Sequence, residues 1–314
     1  MLPWLTPYLD RFAKWQAHGR LAHAYLLTGP NGVGKGQLAD VLAQHLLCKN
    51  GVACGQCHSC QLFAAGTHPD FHRVVPEKGA IRVDAIRALI GPVYGAALMG
   101  GAKVVVMNEA DALNINAANA LLKSLEEPPD NTFWLLTSSQ PGQLLPTILS
   151  RCQKLHIAAP EQSLALAWLE GQDIKASVAL LNRFHGAPLA VSQALAAGYL
   201  EKVGKLQTDL VALETRRLYP ETFADRWHKE ALFCLDELAH RLLDQARLAN
   251  GLAPLYHERL DRQERLSGSA LTRLWQAVLG QRKLLSEQPA LNGKWLLMDI
   301  AWQLLDGRSE NLVG

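Results

Sequence analysis

The sequence predicts an α/β fold in which a parallel sheet carries a phosphate-binding loop and is followed by helical regions. Three observations predict this fold. A glycine-rich loop at residues 29–35 stands between an apolar strand and an amphipathic helix. A second apolar run, residues 103–107, ends in Asn108-Glu109, a pattern typical of a buried parallel strand that faces a ligand. Apolar residues then recur at helical spacing through the second half of the chain.

The composition indicates a globular protein large enough for two or three domains. Of 314 residues, 49% are hydrophobic, and the formal net charge is +2. This balance gives no electrostatic basis for a protein that coats nucleic acid by itself. The N-terminus lacks a basic segment followed by an apolar one, and no run approaches the roughly 18 apolar residues of a membrane span. We therefore expect a cytoplasmic protein.

The loop has the pattern G-x-x-x-x-G-K from Gly29 to Lys35. Glycines let backbone N–H groups turn toward phosphate oxygens, the next helix presents the positive end of its dipole, and the lysine adds a point charge. We predict Gly29, Gly32, Gly34 and Lys35 as phosphate-binding residues. The following position normally supplies a hydroxyl to Mg²⁺, but this chain has Gly36 there. The pattern leaves open whether ATP or ADP binds.

Four of the six cysteines, Cys48, Cys54, Cys57 and Cys60, are clustered. Their C-x₂-C-x₂-C spacing, with a fourth cysteine six residues upstream, suits four thiolates around Zn²⁺. A closed Cys₄ site has no open coordination position, so the predicted zinc is structural. His58 is an alternative ligand, and free surface thiols are the other alternative.

The strand over residues 103–107 resembles the second nucleotide motif of P-loop ATPases, in which four apolar residues precede Asp-Glu. Asn108 occupies the place of the aspartate, and an amide coordinates Mg²⁺ less well than a carboxylate. Glu109 keeps the place of the residue that polarises water. We predict both as parts of a degenerate nucleotide site. Asp111 has the wrong offset for a ligand, and we expect it in a turn or at a helix start.

The other elements of the first half follow from apolar periodicity. We predict strands over residues 24–27, 70–75, 133–139 and 154–157, and helices over residues 4–18, 81–90 and 115–126. The strand over residues 133–139 ends in hydroxyl side chains. Thr137 or Ser138 either senses a γ-phosphate or simply ends the strand, and the sequence favours neither interpretation.

Beyond residue 159 the pattern is helical. We predict helices over residues 161–170, 174–184, 188–197, 206–218, 223–249, 269–287 and 295–305. Loops are marked by glycine and proline, among them Pro289 and Gly293. Large apolar residues at helical spacing are predicted to be core: Leu232, Leu235, Leu238, Leu242, Leu243, Trp275, Leu279, Trp295 and Trp302.

Four segments, GRLAHAYLLTGPNGVGK, CGQCHSC, NALLKSLEEPP and ILSRC, have an order and spacing that resemble those of the bacterial clamp-loader ATPase family. The resemblance covers about residues 19–190. It implies an AAA+ P-loop nucleotide-binding-like domain with the Cys₄ zinc module over residues 1–158, a three-helix lid over 159–203 and a helical collar, used for oligomerisation, over 204–314. Some apolar collar residues are then expected to face other subunits.

Departures from the active pattern decide which kind of family member the chain resembles. Gly36 lacks the Mg²⁺-binding hydroxyl, Asn108 replaces the acid, and the lid segment 185–190 has no arginine where ATP-hydrolysing members carry one. Mg²⁺ and fixed positive charge supply most of the stabilisation in phosphoryl transfer. We therefore expect no independent ATPase activity, and the alternative is a gamma-like subunit that hydrolyses ATP itself.

The resemblance also implies a role for Arg151 of the ILSRC segment. The matching arginine of the family projects into the ATP site of a neighbouring subunit as an arginine finger, with Ser150 and Cys152 as positioning neighbours. The alternative is a surface arginine paired with a nearby acid. Implied partners are the gamma/tau and delta subunits of the DNA polymerase III clamp loader, with the sliding clamp and primer-template DNA reached through the complex. A zinc-dependent DNA-binding module is a third interpretation, against which the balanced charge argues.

Overall fold

The computed structural model describes residues 1–258, 268–288 and 290–309. Pro289 and two further parts of the predicted collar, residues 259–267 and 310–314, lie outside this range. The chain divides into two compact units, the first comprising Met1–Ala165 with Ala187–Ala190, and the second comprising Leu166–Gly186 with the described residues from Val191 onward. Within the described part of the chain, every helix is too short or too polar to cross a membrane.

A five-stranded parallel sheet organises the first unit. Its strands are β1 (Ala24–Thr28), β2 (Phe71–Val74), β3 (Lys103–Met107), β4 (Thr132–Ser138) and β5 (Gln153–His156). They lie in the order β2-β3-β4-β1-β5, and each neighbouring pair is parallel. All five predicted strands are confirmed. Strands β1 and β3 are buried along their whole lengths, as expected when helices cover both faces of a sheet.

Helices surround this sheet. They are α1 (Thr6–Ala17), α2 (Lys35–Leu47), α3 (His58–Ala64), α4 (Val83–Tyr94), α5 (Ile115–Glu126) and α6 (Pro146–Arg151). The predicted α/β class is therefore confirmed. Helices α3 and α6 are absent from our predictions because six or seven residues are too few to show a helical period.

Strand order brings three chain segments to one edge of the sheet. Strand β4 lies between β1 and β3, and Thr28 at the end of β1 pairs with Ser138 at the end of β4. Met107, at the end of β3, pairs with Leu136. Because the strands are parallel, the loop after β1, Asn108 after β3 and the hydroxyls of β4 share the carboxyl edge, where ligands bind in open parallel sheets.

The remaining helices are α7 (Gln162–Glu170), α8 (Val178–Arg183), α9 (Pro188–Ala196), α10 (Tyr199–Glu214), α11 (Pro220–Trp227), α12 (Ala231–Ala249), α13 (Gly268–Glu287) and α14 (Gly293–Ser309). Leucine and aromatic side chains of α10 to α14 form the core of the second unit. The predicted helical character of this region is confirmed.

The single helix predicted over residues 223–249 is wrong. The chain instead forms α11 and α12, separated by a 3₁₀ turn at His228–Glu230. Gly293, the first residue of α14, lies against this turn, and a Cβ atom placed on it would come within 2.8 Å of the His228 carbonyl oxygen. The break makes room for the start of α14, a tertiary cause that helical spacing does not reveal.

The predicted core of this region is correct only in part. Leu235, Leu238 and Leu242 are buried. Trp295 and Trp302 are exposed over 62% and 47% of their surface, so their prediction as core residues is wrong. Four further predicted core residues are also partly exposed, namely Leu232, Leu243, Trp275 and Leu279. Helical spacing gives the direction in which a side chain points, but it does not show whether the chain covers that direction.

Candidate functional site

The glycine loop turns from β1 into α2 through backbone conformations that favour glycine. Gly29 and Gly32 have φ values of 148° and 80°. A Cβ atom on Gly29 would lie 2.1 Å from the Ile157 carbonyl oxygen, and one on Gly32 would lie 2.3 Å from the Ala190 backbone nitrogen. The Leu189 N–H also donates to the Gly32 carbonyl at 3.1 Å. The loop is thus packed tightly against segments of its own unit.

Lys35, the first residue of α2, is buried and turned toward this loop. Its Nζ donates to the carbonyl oxygens of Gly29 and Pro30, each at 2.8 Å. Burial lowers the pKa of Lys35, and the negative charges of Asp111 and then Glu109 act in the opposite direction. The lysine that would neutralise a phosphate therefore satisfies two carbonyls of its own loop in this structure.

The two positions that would hold Mg²⁺ lie opposite each other. A Cβ atom on Gly36 would be 3.6 Å from Asn108 Oδ1, so the structure brings together the two departures that the sequence shows. Asn108 Oδ1 is buried, and no described group donates a hydrogen bond to it. Mg²⁺ binds carboxylate and hydroxyl oxygens in near-octahedral geometry. One neutral amide oxygen facing a glycine fits that ion poorly.

Glu109 follows Asn108 in a left-handed conformation, with a φ of 53°. Its N–H donates to Thr137 Oγ1 at 3.0 Å, and its side chain is exposed at the carboxyl edge of the sheet. Ser138 Oγ accepts from the Gln140 N–H at 3.2 Å. Both hydroxyls considered as γ-phosphate sensors thus bond to backbone N–H groups of this edge, and their role toward a nucleotide stays a prediction.

Two features of this site were missed by the sequence analysis. Asp111 lies in the 3₁₀ turn Ala110–Ala112, as expected, but its charge acts on Lys35 more strongly than that of Glu109. The N-terminal segment also covers the loop, because Trp4 Nε1 donates to the Val33 carbonyl at 2.8 Å. Helical spacing had indicated only a packing helix there. A tryptophan N–H that finds a partner far along the chain has no local sequence signal.

Arg151 is the last residue of α6. Its Nη2 lies 2.6 Å from Glu126 Oε1, and its Nη1 donates to the Thr147 carbonyl at 2.9 Å. The alternative of a pairing with a nearby acid is therefore present in the structure, and it does not exclude a role toward another subunit. Cys152 is buried, and burial raises the pKa of its thiol to about 11, which disfavours the nucleophilic thiolate.

The four predicted cysteines form one cluster after α2. All four Sγ atoms lie within 4.8 Å of one another, with Cys48 at 3.6 Å from Cys54 and 3.9 Å from Cys57. A tetrahedral zinc with Zn–S bonds of about 2.3 Å requires S···S distances of about 3.8 Å, so the cluster fits such an ion. His58, the alternative ligand, is not part of the cluster that the described residues form.

Backbone N–H groups support these sulfurs. The amides of Cys54, Cys57 and Cys60 donate to the Sγ atoms of Cys48, Cys54 and Cys57 at 3.4, 3.4 and 3.5 Å. Burial would raise the pKa of Cys48, but backbone donors outweigh it and hold the value at about 6. Burial instead raises the pKa of the Cys60 thiol to about 12. It is the spacing of the four Sγ atoms that suits them to a metal ion such as zinc, at the C-terminal end of α2.

Comparison with known proteins identifies the family. Residues 5–161, half of the chain, match the family model described as DNA polymerase III, delta subunit. The DNA polymerase III subunit delta' of Haemophilus influenzae is 33% identical over 98% of this chain and 95% of its own length. The chain belongs to the DNA polymerase III delta' family. The delta' subunit of Pseudomonas aeruginosa is 42% identical over 73% of this chain and 72% of its own length.

Two further comparisons concern other DNA polymerase III subunits, one by sequence and one by structure. The DNA polymerase III subunit tau of Escherichia coli is 38% identical over 48% of this chain and 24% of its own length. A crystal structure of a DNA polymerase III gamma subunit-related protein from Thermotoga maritima aligns with a TM-score of 0.52 at 17% identity, covering 95% of this chain and 99% of that chain. At this identity the second likeness shows a shared fold.

Proposed function

We propose that this chain is the delta' subunit of a clamp loader, and that it helps to place the sliding clamp on primed DNA without hydrolysing ATP. The observation that carries the proposal is the juxtaposition of Gly36 and Asn108. Phosphoryl transfer depends on Mg²⁺ for much of its charge stabilisation. Gly36 and Asn108, at the two positions that normally bind this ion, offer it only one neutral amide oxygen, which does not support turnover.

The lid segment supports the same conclusion. Residues Ala187–Ala190 pack on the loop, with the Leu189 N–H bonded to Gly32, and this segment contributes no positive charge there. In phosphoryl transfer, fixed cations stabilise the charge on the equatorial phosphate oxygens. The loss of such a cation adds to the loss of the metal ligands.

Arg151 gives the chain a place in catalysis by a neighbour. A guanidinium donates through several N–H groups in a rigid fork that matches phosphate oxygens, and a finger supplied by another subunit contributes a rate factor of about 10³ or more. We assign Arg151 this role toward the ATP site of a gamma/tau subunit. Similarity to tau over nearly half of this chain supports gamma/tau as partners.

The Cys₄ cluster is assigned a structural zinc. Its residues connect the C-terminal end of α2 to α3, since Cys48 follows the last residue of α2 and Cys57 precedes the first residue of α3. A closed tetrahedral site supplies folding free energy and no catalysis. The zinc would therefore hold the helix that begins at the glycine loop.

The domain organisation of the proposal is that of the family. An AAA+ domain over residues 1–158 and a lid over 159–203 precede a collar over 204–314, which joins the collars of delta and gamma/tau in a ring. The exposed Trp295 and Trp302 of α14 provide apolar surface for such contacts. The complex would act in the bacterial cytoplasm, at the replisome.

A steady-state ATPase assay on the isolated chain tests the proposal. We expect no turnover above background, and no change on Lys35→Ala substitution. The double variant Gly36→Thr, Asn108→Asp restores a hydroxyl and a carboxylate at facing positions, and it shows whether metal ligands are what is missing. The intact Lys35 and Glu109 favour a gamma-like ATPase as the second candidate. Turnover by the unmodified chain that Lys35→Ala abolishes would establish that candidate instead.

A further inference from the structure

The end of α5 and the end of α6 bring an acid and the proposed finger together. Glu126 is the last residue of α5, and Arg151 is the last residue of α6. Glu126 Oε1 and Arg151 Nη2 are 2.6 Å apart, and both belong to the first unit. The two residues belong to separate segments of the sequence, NALLKSLEEPP and ILSRC, whose spacing does not show that they meet.

Both terminal nitrogens of the guanidinium are engaged within its own chain. Nη2 meets Glu126, and Nη1 donates to the Thr147 carbonyl one turn earlier in α6. Nη1 also lies 3.4 Å from Ser150 Oγ. A guanidinium in this position is folded back along its own helix. Donation to a phosphate on another subunit requires these contacts to be exchanged.

We propose that Glu126 is a positioning residue, which binds Arg151 within its own subunit until a nucleotide of the neighbouring subunit competes for the guanidinium. The inference rests on the finger role assigned to Arg151 above. Glu126 touches no substrate. It acts by setting the fraction of time for which Arg151 is available, and the apparent strength of the finger scales with that fraction.

The pair is exposed enough to be exchanged readily. The Arg151 side chain is 32% exposed and the Glu126 side chain 48%. An ion pair of this kind contributes little, because solvent screens it and ordering two long side chains costs entropy. Loss of the ion pair should therefore change the fraction of Arg151 that is available to a neighbouring site by about twofold to fivefold. A triphosphate carries more charge than one carboxylate, so a neighbouring site can win the competition once it is formed.

The test uses the reconstituted loader with its partner subunits, and it compares Glu126→Gln with a matched control. Glu127, the next residue, is exposed and has no ion pair within the described chain, so Glu127→Gln changes the same charge without touching the finger. We expect Glu126→Gln to raise ATPase activity without clamp and DNA about twofold to fivefold, with little change when both are saturating. Glu127→Gln should match the unmodified loader, and Glu126→Asp should return toward it.

The double variant Glu126→Gln, Arg151→Ala separates this inference from the proposed function. If Glu126 acts only by holding Arg151 back, the double variant behaves as Arg151→Ala alone, because no arginine is left to release. Unchanged ATPase activity in Glu126→Gln, with a defect in Arg151→Ala, would refute the proposed role of Glu126 and leave the finger role of Arg151 intact. A loss of activity in Glu126→Gln would also overturn it, since Glu126 would then orient the finger productively. Unchanged activity in Arg151→Ala would refute the finger role itself.

Discussion

Replacing Glu237 with glutamine should destabilise the second unit, because the substitution leaves the Arg183 guanidinium charged and buried without its counter-ion. Arg183 of α8 and Glu237 of α12 form an ion pair in which each side chain is 8% exposed. The Tyr199 hydroxyl of α10 donates to the same carboxylate. Removing one partner of a buried pair costs about 3–5 kcal/mol. Glutamine keeps the shape of glutamate, so we take about 3 kcal/mol.

Differential scanning calorimetry of the full chain measures this effect. For a unit of this size, about 3 kcal/mol corresponds to a melting temperature lower by about 10 °C. Glu201→Gln is the control, because the Glu201–Lys205 pair on α10 is 73% and 67% exposed, and its loss should leave the transition unchanged. Replacing both members, as Arg183→Met with Glu237→Leu, should recover most of the loss, since a buried pair replaced by apolar side chains is often neutral.

The pH dependence gives a second, independent readout. Burial would raise the pKa of Glu237, but His240, whose Nδ1 lies 3.7 Å from Glu237 Oε1, and the charge of Arg183 outweigh it, so the pKa is lowered in the folded state. The contribution of a carboxyl group with a lowered pKa is complete above its unfolded value, about 4.3, and is lost as the pH falls below that value. The difference between the unmodified chain and Glu237→Gln should shrink there. A melting temperature within 2–3 °C of the unmodified chain at pH 7, roughly what 1 kcal/mol produces, would refute this reasoning.

Three more outcomes follow from the first unit. Cys57→Ser should reduce bound zinc, measured by metal analysis, from about one per chain to much less, while the buried Cys234, changed to serine as a control, should leave zinc unchanged. Gly32→Ala should destabilise the first unit by about 1–2 kcal/mol or more in urea unfolding, because alanine disfavours the positive φ of this position and its Cβ would clash with Ala190. An unchanged unfolding midpoint would contradict the packing of that segment against the loop. His68 is buried, its Nε2 lies 2.8 Å from Ser59 Oγ, and burial lowers its pKa. The contribution of neutral His68 to stability is complete above about pH 6.5 and is lost as the pH falls further, so His68→Gln should reduce the loss of stability on acidification in thermal melts.

The parts of the fold that were predictable are those that local chemistry determines. Strands β1, β3 and β4 are largely apolar runs that end beside a glycine, an amide and hydroxyls, and all five predicted strands are present in the sheet. The break at His228–Glu230 is visible only in the structure, because Gly293, the residue packed against it, lies more than sixty residues away in sequence. The exposure of Trp295 and Trp302 likewise depends on parts of the chain that are distant in sequence. An apolar side chain on a helix face is buried only if some other element reaches it.

The division into domains illustrates a further limit. Arg183 and Tyr199 belong to the predicted lid, and Glu237 belongs to the predicted collar, yet the three share one buried network within one compact unit. Burial strengthens such contacts when every member is satisfied. Nothing in the spacing of these residues indicates that they meet. The boundary at residue 203 stays a prediction, and the Glu237→Gln experiment measures how strongly the two segments are joined.

Residue types in the site were likewise predictable, and their partners were not. Gly36 and Asn108 each appear in the sequence as a lost metal ligand, but only the structure shows that they face each other, since a Cβ atom on Gly36 would lie 3.6 Å from Asn108 Oδ1. Arg151 was identified by its motif, whereas Glu126 acquires a meaning only through its 2.6 Å contact with that arginine. Contacts between separate motifs depend on strand order and helix ends, which a local pattern does not encode.

The contacts of Lys35 change how the ATPase test must be interpreted. Its Nζ satisfies the carbonyl oxygens of Gly29 and Pro30, so Lys35→Ala removes two hydrogen bonds from a buried turn as well as a charge. An unsatisfied buried acceptor costs about 1–3 kcal/mol, which is enough to loosen the loop and the start of α2. A loss of ATP turnover in that variant would therefore follow from the missing positive charge, from the loosened loop, or from both. Melting of Lys35→Ala without nucleotide separates them, because a structural role for Lys35 lowers stability even when no phosphate is present.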